Sequence, residues 1–108
     1  MFLFVSRYLI PKGFSGLSIY PFVVVSERKY RENAIFINHE KIHIRQQIEM
    51  LVLPFFIWYV LEYFVRLIQY KNRNLAYKNI SFEREAYKNE SNLNYLKVRR
   101  FWTFLRYI

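Results

Sequence analysis

Two long apolar-rich stretches on either side of Pro54 dominate the middle of this chain, and a short β-branched run precedes them. Residues 34–53, AIFINHEKIHIRQQIEMLVL, predict a helix, with Asn33 placed to cap its first turn. Pro54 has no backbone donor and is expected to end or kink it. Residues 55–70, FFIWYVLEYFVRLIQY, predict a second helix, and the polar stretch 71–79 reads as a link. Ser81 stands ahead of FEREAYKNE, in which Glu83 and Glu85 fall early, where the helix dipole favours acids. Residues 95–108 predict a terminal helix. Phe101, Phe104, Leu105 and Ile108 would form its core-facing stripe, with Lys97, Arg99 and Arg106 on a solvated or membrane-facing side.

At the front, Phe22–Val25 reads as a strand, because β-branched side chains suit a pleated surface. Pro21 would start that strand or place it at a sheet edge. Gly13 and Gly16 predict a turn, and residues 26–33 a solvated connection. The expected fold is one α+β domain over residues 1–108, mainly α: a small N-terminal β element followed by four or so helices. The opening stretch MFLFVSRYLIPKG is broken by Arg7 and does not read as a signal peptide, so a cytoplasmic location is expected.

Residues 50–68 have the length of a membrane span. Glu62 and Arg66 interrupt them, each costing roughly 2.5–3.5 kcal/mol at mid-bilayer. Four apart on a helix, the two can pair on one face, with Trp58 on the same side. A buried core helix or a peripheral membrane contact is more economical than a span.

Charge and composition narrow the chemistry. The net charge of +9 favours anionic partners, an anionic membrane surface among them. Basic and aromatic residues alternate near the C-terminus, but no nucleic-acid module appears, so a nucleic-acid partner is not expected. Cysteine is absent, which excludes disulfides and thiolate metal sites. Aspartate is absent too, leaving histidine and glutamate as the ligands available to a metal.

The chain has two histidines, and both lie in NHEKIHI, four residues apart. On a helix, positions i and i+4 point the same way, so His39 and His43 can aim at one ion, and imidazole suits Zn²⁺. Glu40, about 100° around the helix from His39, falls beside that ion. From there it can take a proton from an activated water and pass it to a leaving amine. A catalytic zinc site needs a third protein ligand, which here must be a glutamate. Glu83 and Glu85 sit on a helix that can fold back on the first, and their separation of about 200° lets only one of them face the ion.

HEKIH followed some forty residues later by EREAY resembles the gluzincin metallopeptidases. The likeness is to the group containing the CAAX prenyl protease, the heat-shock membrane protease and the antibiotic-sensing receptor peptidases, and to their small minigluzincin relatives. It covers two short motifs and the order strand, helix, helix. It implies a zincin-like active-site helix, Zn²⁺ on His39, His43 and Glu83, and Glu40 as general base and acid in peptide hydrolysis. It also implies an extended peptide paired with an edge strand, for which residues 19–26 are the candidate. The family's Asp after Glu-x-Glu-Ala, which orients a ligand histidine, is Tyr87 here. Tyr87 is expected near the metal or packed in the core. Glu85 stands as a possible neighbour of the ligands, and Tyr87, Tyr95 and Arg84 are candidates to bind an oxyanion. The alternative is a catalytically inactive, metal-binding, membrane-associated interaction module. For either reading the expected location is the cytoplasm, peripheral to or embedded in the inner membrane.

Overall fold

The structure, a computed structural model, describes residues 2–10 and 14–108; Gly13 lies outside them. Three short strands form one sheet: β1 (Phe2–Val5), β2 (Gly16–Ile19) and β3 (Phe22–Val25), in the order β1-β3-β2. β3 runs parallel to β1 and antiparallel to β2. The strand expected at Phe22–Val25 is there, starting directly after Pro21, but it is the central strand and not an edge. Its Val23 and Val25 are fully buried against the next layer, and it bonds on both sides. Gly16 belongs to β2 and not to a turn. An added Cβ there would lie 2.7 Å from the Phe36 ring and 3.3 Å from Glu40 Oε1, so glycine lets the strand approach the histidine-bearing helix.

Six helices follow: α1 (Arg28–Arg31), α2 (Ala34–Met50), α3 (Val52–Tyr70), α4 (Arg73–Lys78), α5 (Ser81–Asn89) and α6 (Tyr95–Val98). A 3₁₀ turn at Thr103–Tyr107 closes the chain. The fold is mainly helical with a small sheet, as the sequence predicts. Asn33 caps α2 as expected, accepting from the Phe36 N–H at 3.1 Å.

The break after α2 comes at Leu51, which has a φ of 64°, and not at Pro54. Pro54 sits in the first turn of α3, where its missing N–H costs nothing. The expected link at 71–79 contains α4, whose N-terminal amides at Asn74 and Leu75 are accepted by the Asn72 side chain. Ser81 lies inside α5 and does not cap it. Glu62 of α3 does this instead, accepting from the Ser81 N–H and, at 2.6 Å, from its hydroxyl. A carboxylate suits the positive end of the helix.

The terminal helix is the largest departure. α6 is four residues long, and Trp102 turns the chain through a left-handed conformation. Of the expected stripe only Phe104 is buried; Phe101, Leu105 and Ile108 are exposed. Arg99, expected on the outer side, points inward and pairs with both Glu85 and Glu49. Two buried carboxylates need a cation, and that demand outweighs helical continuation.

α2 is the central layer. One side meets the sheet through Phe36, Ile37 and Ile44 against Val23 and Val25. At its end Met50 packs with Phe55, Ile80, Phe82 and Phe104. α3 is long and apolar enough to cross a membrane.

Candidate metal centre

α2 carries His39, Glu40 and His43 into the interior because both of its sides are covered; all three are buried. α5 brings Glu83 to the same point. The three ligand atoms form a near-regular triangle. His39 Nε2 and His43 Nε2 are 3.2 Å apart, and Glu83 Oε1 lies 3.1 Å from the first and 3.0 Å from the second. Zinc held tetrahedrally at 2.0–2.1 Å sets its ligands about 3.3 Å apart. This buried group of His39, His43 and Glu83 can hold a metal ion.

The outer nitrogens are already committed. His39 Nδ1 lies 2.7 Å from Glu90 Oε2, and His43 Nδ1 lies 2.8 Å from Gln46 Oε1. The Gln46 amide is oriented by its other end, which donates to the Phe82 carbonyl and to Glu85 Oε1. Both imidazoles therefore carry the Nδ1 proton, which leaves two Nε2 lone pairs and a carboxylate oxygen facing one another. Such an arrangement calls for a cation at its centre.

Without a metal, a proton fills that place. Burial works against the His43 imidazolium, but the charge of Glu83 and its hydrogen bond outweigh it and lift His43 to about 9. Burial also opposes ionised Glu83, yet the two histidines hold it well below the ordinary carboxylate range. Both shifts describe one shared proton. His43's folded value lies above its ordinary 6.5. The stabilisation it gives the metal-free protein is therefore full below pH 6.5 and is lost as pH rises through about 9. Denaturant melts of metal-free protein should show a fall on the order of a few kcal/mol across that window. Metal affinity should rise over the same window, because the competing proton leaves. Flat profiles in both measurements would refute the shared-proton account.

Glu40 lies beside the triangle and not in it. Burial raises its pKa, with His43 and His39 pulling it back. A raised carboxyl suits a group that must both take and give a proton. Of the two downstream glutamates, Glu83 converges on the histidines. Glu85 is fully buried one step out, bonded to Gln46, Tyr95 and Arg99. Tyr95 gives its hydroxyl to Glu85, and Arg84 reaches the Tyr107 carbonyl, so neither faces the centre. Tyr87 packs its ring edge on His39 with centroids 4.6 Å apart, half exposed and outside the core.

Four neighbours of the site were not legible beforehand. Tyr59 of α3 donates to the second Glu83 oxygen at 2.6 Å. Tyr77 of α4 meets the Tyr87 hydroxyl at 3.4 Å. Gln46 orients His43. Glu90 accepts the Nδ1 proton of His39 and so fixes the orientation of that imidazole. For Glu90 the sequence carries one usable signal: it follows Glu83 by seven residues, two helical turns along the same face. Asn38 holds it in place by donating to the carbonyls of Glu90 and Asn92, each at 2.9 Å. Replacing Glu90 with Gln should weaken metal binding about 10–100-fold, read by competition with a chromophoric chelator. An unchanged affinity would show that the contact does not tune the ligand.

Compared with known proteins, the chain matches no family model, no curated protein and no solved structure.

Proposed function

We propose that this protein is a zinc-dependent peptide hydrolase of minimal size, with His39, His43 and Glu83 as ligands and Glu40 as general base and acid. The observation that supports it is the convergence of three lone pairs at 3.0–3.2 Å, with both Nδ1 atoms already bonded outward. A zinc ion bound there would supply Lewis acidity toward water and a peptide carbonyl. Glu40 takes the proton of the attacking water as its oxygen adds to the carbonyl carbon. The same carboxyl returns that proton to the amide nitrogen as the C–N bond breaks, giving an acid and an amine. The Tyr87 ring lies against His39, and its hydroxyl meets that of Tyr77 at 3.4 Å. Burial and then the charge of Glu83 keep the Tyr77 hydroxyl protonated.

The peptide's partner in this reading is β2, the edge strand that Gly16 brings against Glu40, and not residues 19–26 as a whole. The Ser15–Ser26 backbone bond sets the register, which turns the polar backbone groups of Gly16 and Ser18 away from β3. Gln47 of α2 already takes the Ser18 carbonyl at 2.7 Å and the Tyr20 N–H at 2.6 Å. The Gly16 carbonyl and Ser18 N–H remain for one residue's worth of strand pairing with a substrate.

The protein acts, in this reading, in the cytoplasm at the inner-membrane face, since α3 is apolar enough to contact lipid. The test is zinc per purified chain together with cleavage of a peptide library, before and after chelation. One zinc per chain and chelator-sensitive cleavage is the expected result. Zinc without cleavage would leave a metal-binding module, and no zinc would end the proposal.

A further inference from the structure

α3 is built inside out for a helix surrounded by water. Its two charged side chains face the protein. Glu62 and Arg66 pair at 3.3 Å, both buried, and Glu62 also holds Trp58 and the start of α5. Its outer face carries Leu53, Ile57, Leu61, Phe64, Val65 and Ile68, with exposures reaching 78% at Ile68. No charged side chain interrupts that face. The helix has 19 residues, so the face runs about 28 Å. Its outward positions span an arc of roughly 140° around the helix axis. A soluble monomer rarely leaves so long an apolar strip open to water.

We infer that α3 is the surface by which this protein docks on a lipid bilayer, lying in the plane of an anionic leaflet with its outer face immersed. The inference rests on the inner-membrane location of the proposed function and not on its chemistry. Three observations favour lipid as the occupant. The first is side-chain size. The outer face offers Leu, Ile, Val and Phe with none of the small residues that let a second helix approach closely. The second is charge. Between residues 50 and 89 no acidic side chain is exposed, because Glu62, Glu83 and Glu85 are all buried, whereas Lys71, Arg73, Lys78 and Lys88 are exposed. Lys71 and Arg73 stand at the C-terminal end of the apolar face, where lipid phosphates would meet them. The third is the inner face. Glu62 and Arg66 would be costly in a bilayer; they pair on the inner side, where Glu62 ties α3 to α5, and leave one side for lipid, so the helix lies on the membrane and does not cross it. Tyr59, on the inner side of α3, donates to Glu83, so the docking helix and the metal centre share one element.

The experiment is flotation of the purified full chain with phosphatidylcholine vesicles, with and without phosphatidylglycerol. The parent should float with the phosphatidylglycerol vesicles and be released by alkaline carbonate, as an in-plane helix is. The variant Leu61→Gln/Phe64→Gln/Ile68→Gln removes apolar area from exposed positions alone and should lower partitioning roughly tenfold or more. It should keep its circular dichroism and its zinc. Lys71→Gln/Arg73→Gln should weaken binding to the phosphatidylglycerol vesicles and flatten its salt dependence. A parent that stays unbound to every vesicle overturns the inference and the membrane location, while zinc content and cleavage still decide the hydrolase. A triple variant that floats like the parent overturns the assignment to α3. Resistance to carbonate overturns the in-plane geometry. A dimer by light scattering that the triple variant dissolves into monomers assigns the face to a second copy instead.

Discussion

Changing Glu40 to Gln should leave one zinc bound per chain and lower peptide cleavage by about 10²–10⁴-fold. The carboxyl is buried beside the ligand triangle but is not part of it, so the isosteric amide removes a proton acceptor without removing a metal ligand. Glutamine also keeps the volume next to Gly16, where Glu40 Oε1 lies 3.3 Å from the space an added Cβ would fill. The pH profile supplies a second readout. Burial raises the Glu40 pKa, so the acid limb of kcat/KM should sit above the ordinary glutamate value of 4.5. In Glu40→Gln the residual rate should lose that limb. If the variant cleaves as fast as the parent, Glu40 has no part in proton transfer. If it loses its zinc as well, the residue is a ligand or a structural support, and the assigned role fails.

Arg99→Met is expected to destabilise the fold by about 3–5 kcal/mol, because it strands buried carboxylates without their cation. The guanidinium is fully buried between Glu85 and Glu49, and Tyr95 adds a hydroxyl bond to Glu85 at 2.6 Å. A loss of that size is a large share of the total stability of a domain this small. The effect should reach the metal centre, since Glu85 bonds Gln46 and Gln46 orients His43. The check is equilibrium denaturation of Arg99→Met beside the triple variant Glu49→Gln/Glu85→Gln/Arg99→Met. Neutralising all three groups should recover much of the loss, because no lone charge is then buried. Equal stability of Arg99→Met and the parent would mean that the charges find water in the folded state.

Some features were legible because they depend on near neighbours in the chain. The spacing of His39, Glu40 and His43 fixes their directions once α2 forms, and α2 is announced by Asn33 and the apolar stretch after it. The pairing of Glu62 with Arg66 follows from the same four-residue step. The β-branched run at Phe22–Val25 gave the strand. Pro54 misled, because a proline in a first turn and a proline after a last turn look alike when the boundary is unknown. The C-terminal stripe misled for another reason. Periodicity at Phe101, Phe104, Leu105 and Ile108 suits a helix, but Arg99 is drawn inward by carboxylates that come from fourteen and fifty residues earlier.

The amino-acid order alone thus determined which residues can serve a metal, because two imidazoles one turn apart need no distant information. It also set the mainly helical class. Tertiary structure decided the rest: that Glu83 and not Glu85 completes the triangle, that Glu90 and Gln46 steer the imidazoles, that β3 is the central strand and β2 an edge strand, and that the charges of α3 turn inward. Each of these depends on which elements meet across the core. Such meetings are set by the packing of whole surfaces and by the need to pair every buried charge, and no short window of sequence contains both partners.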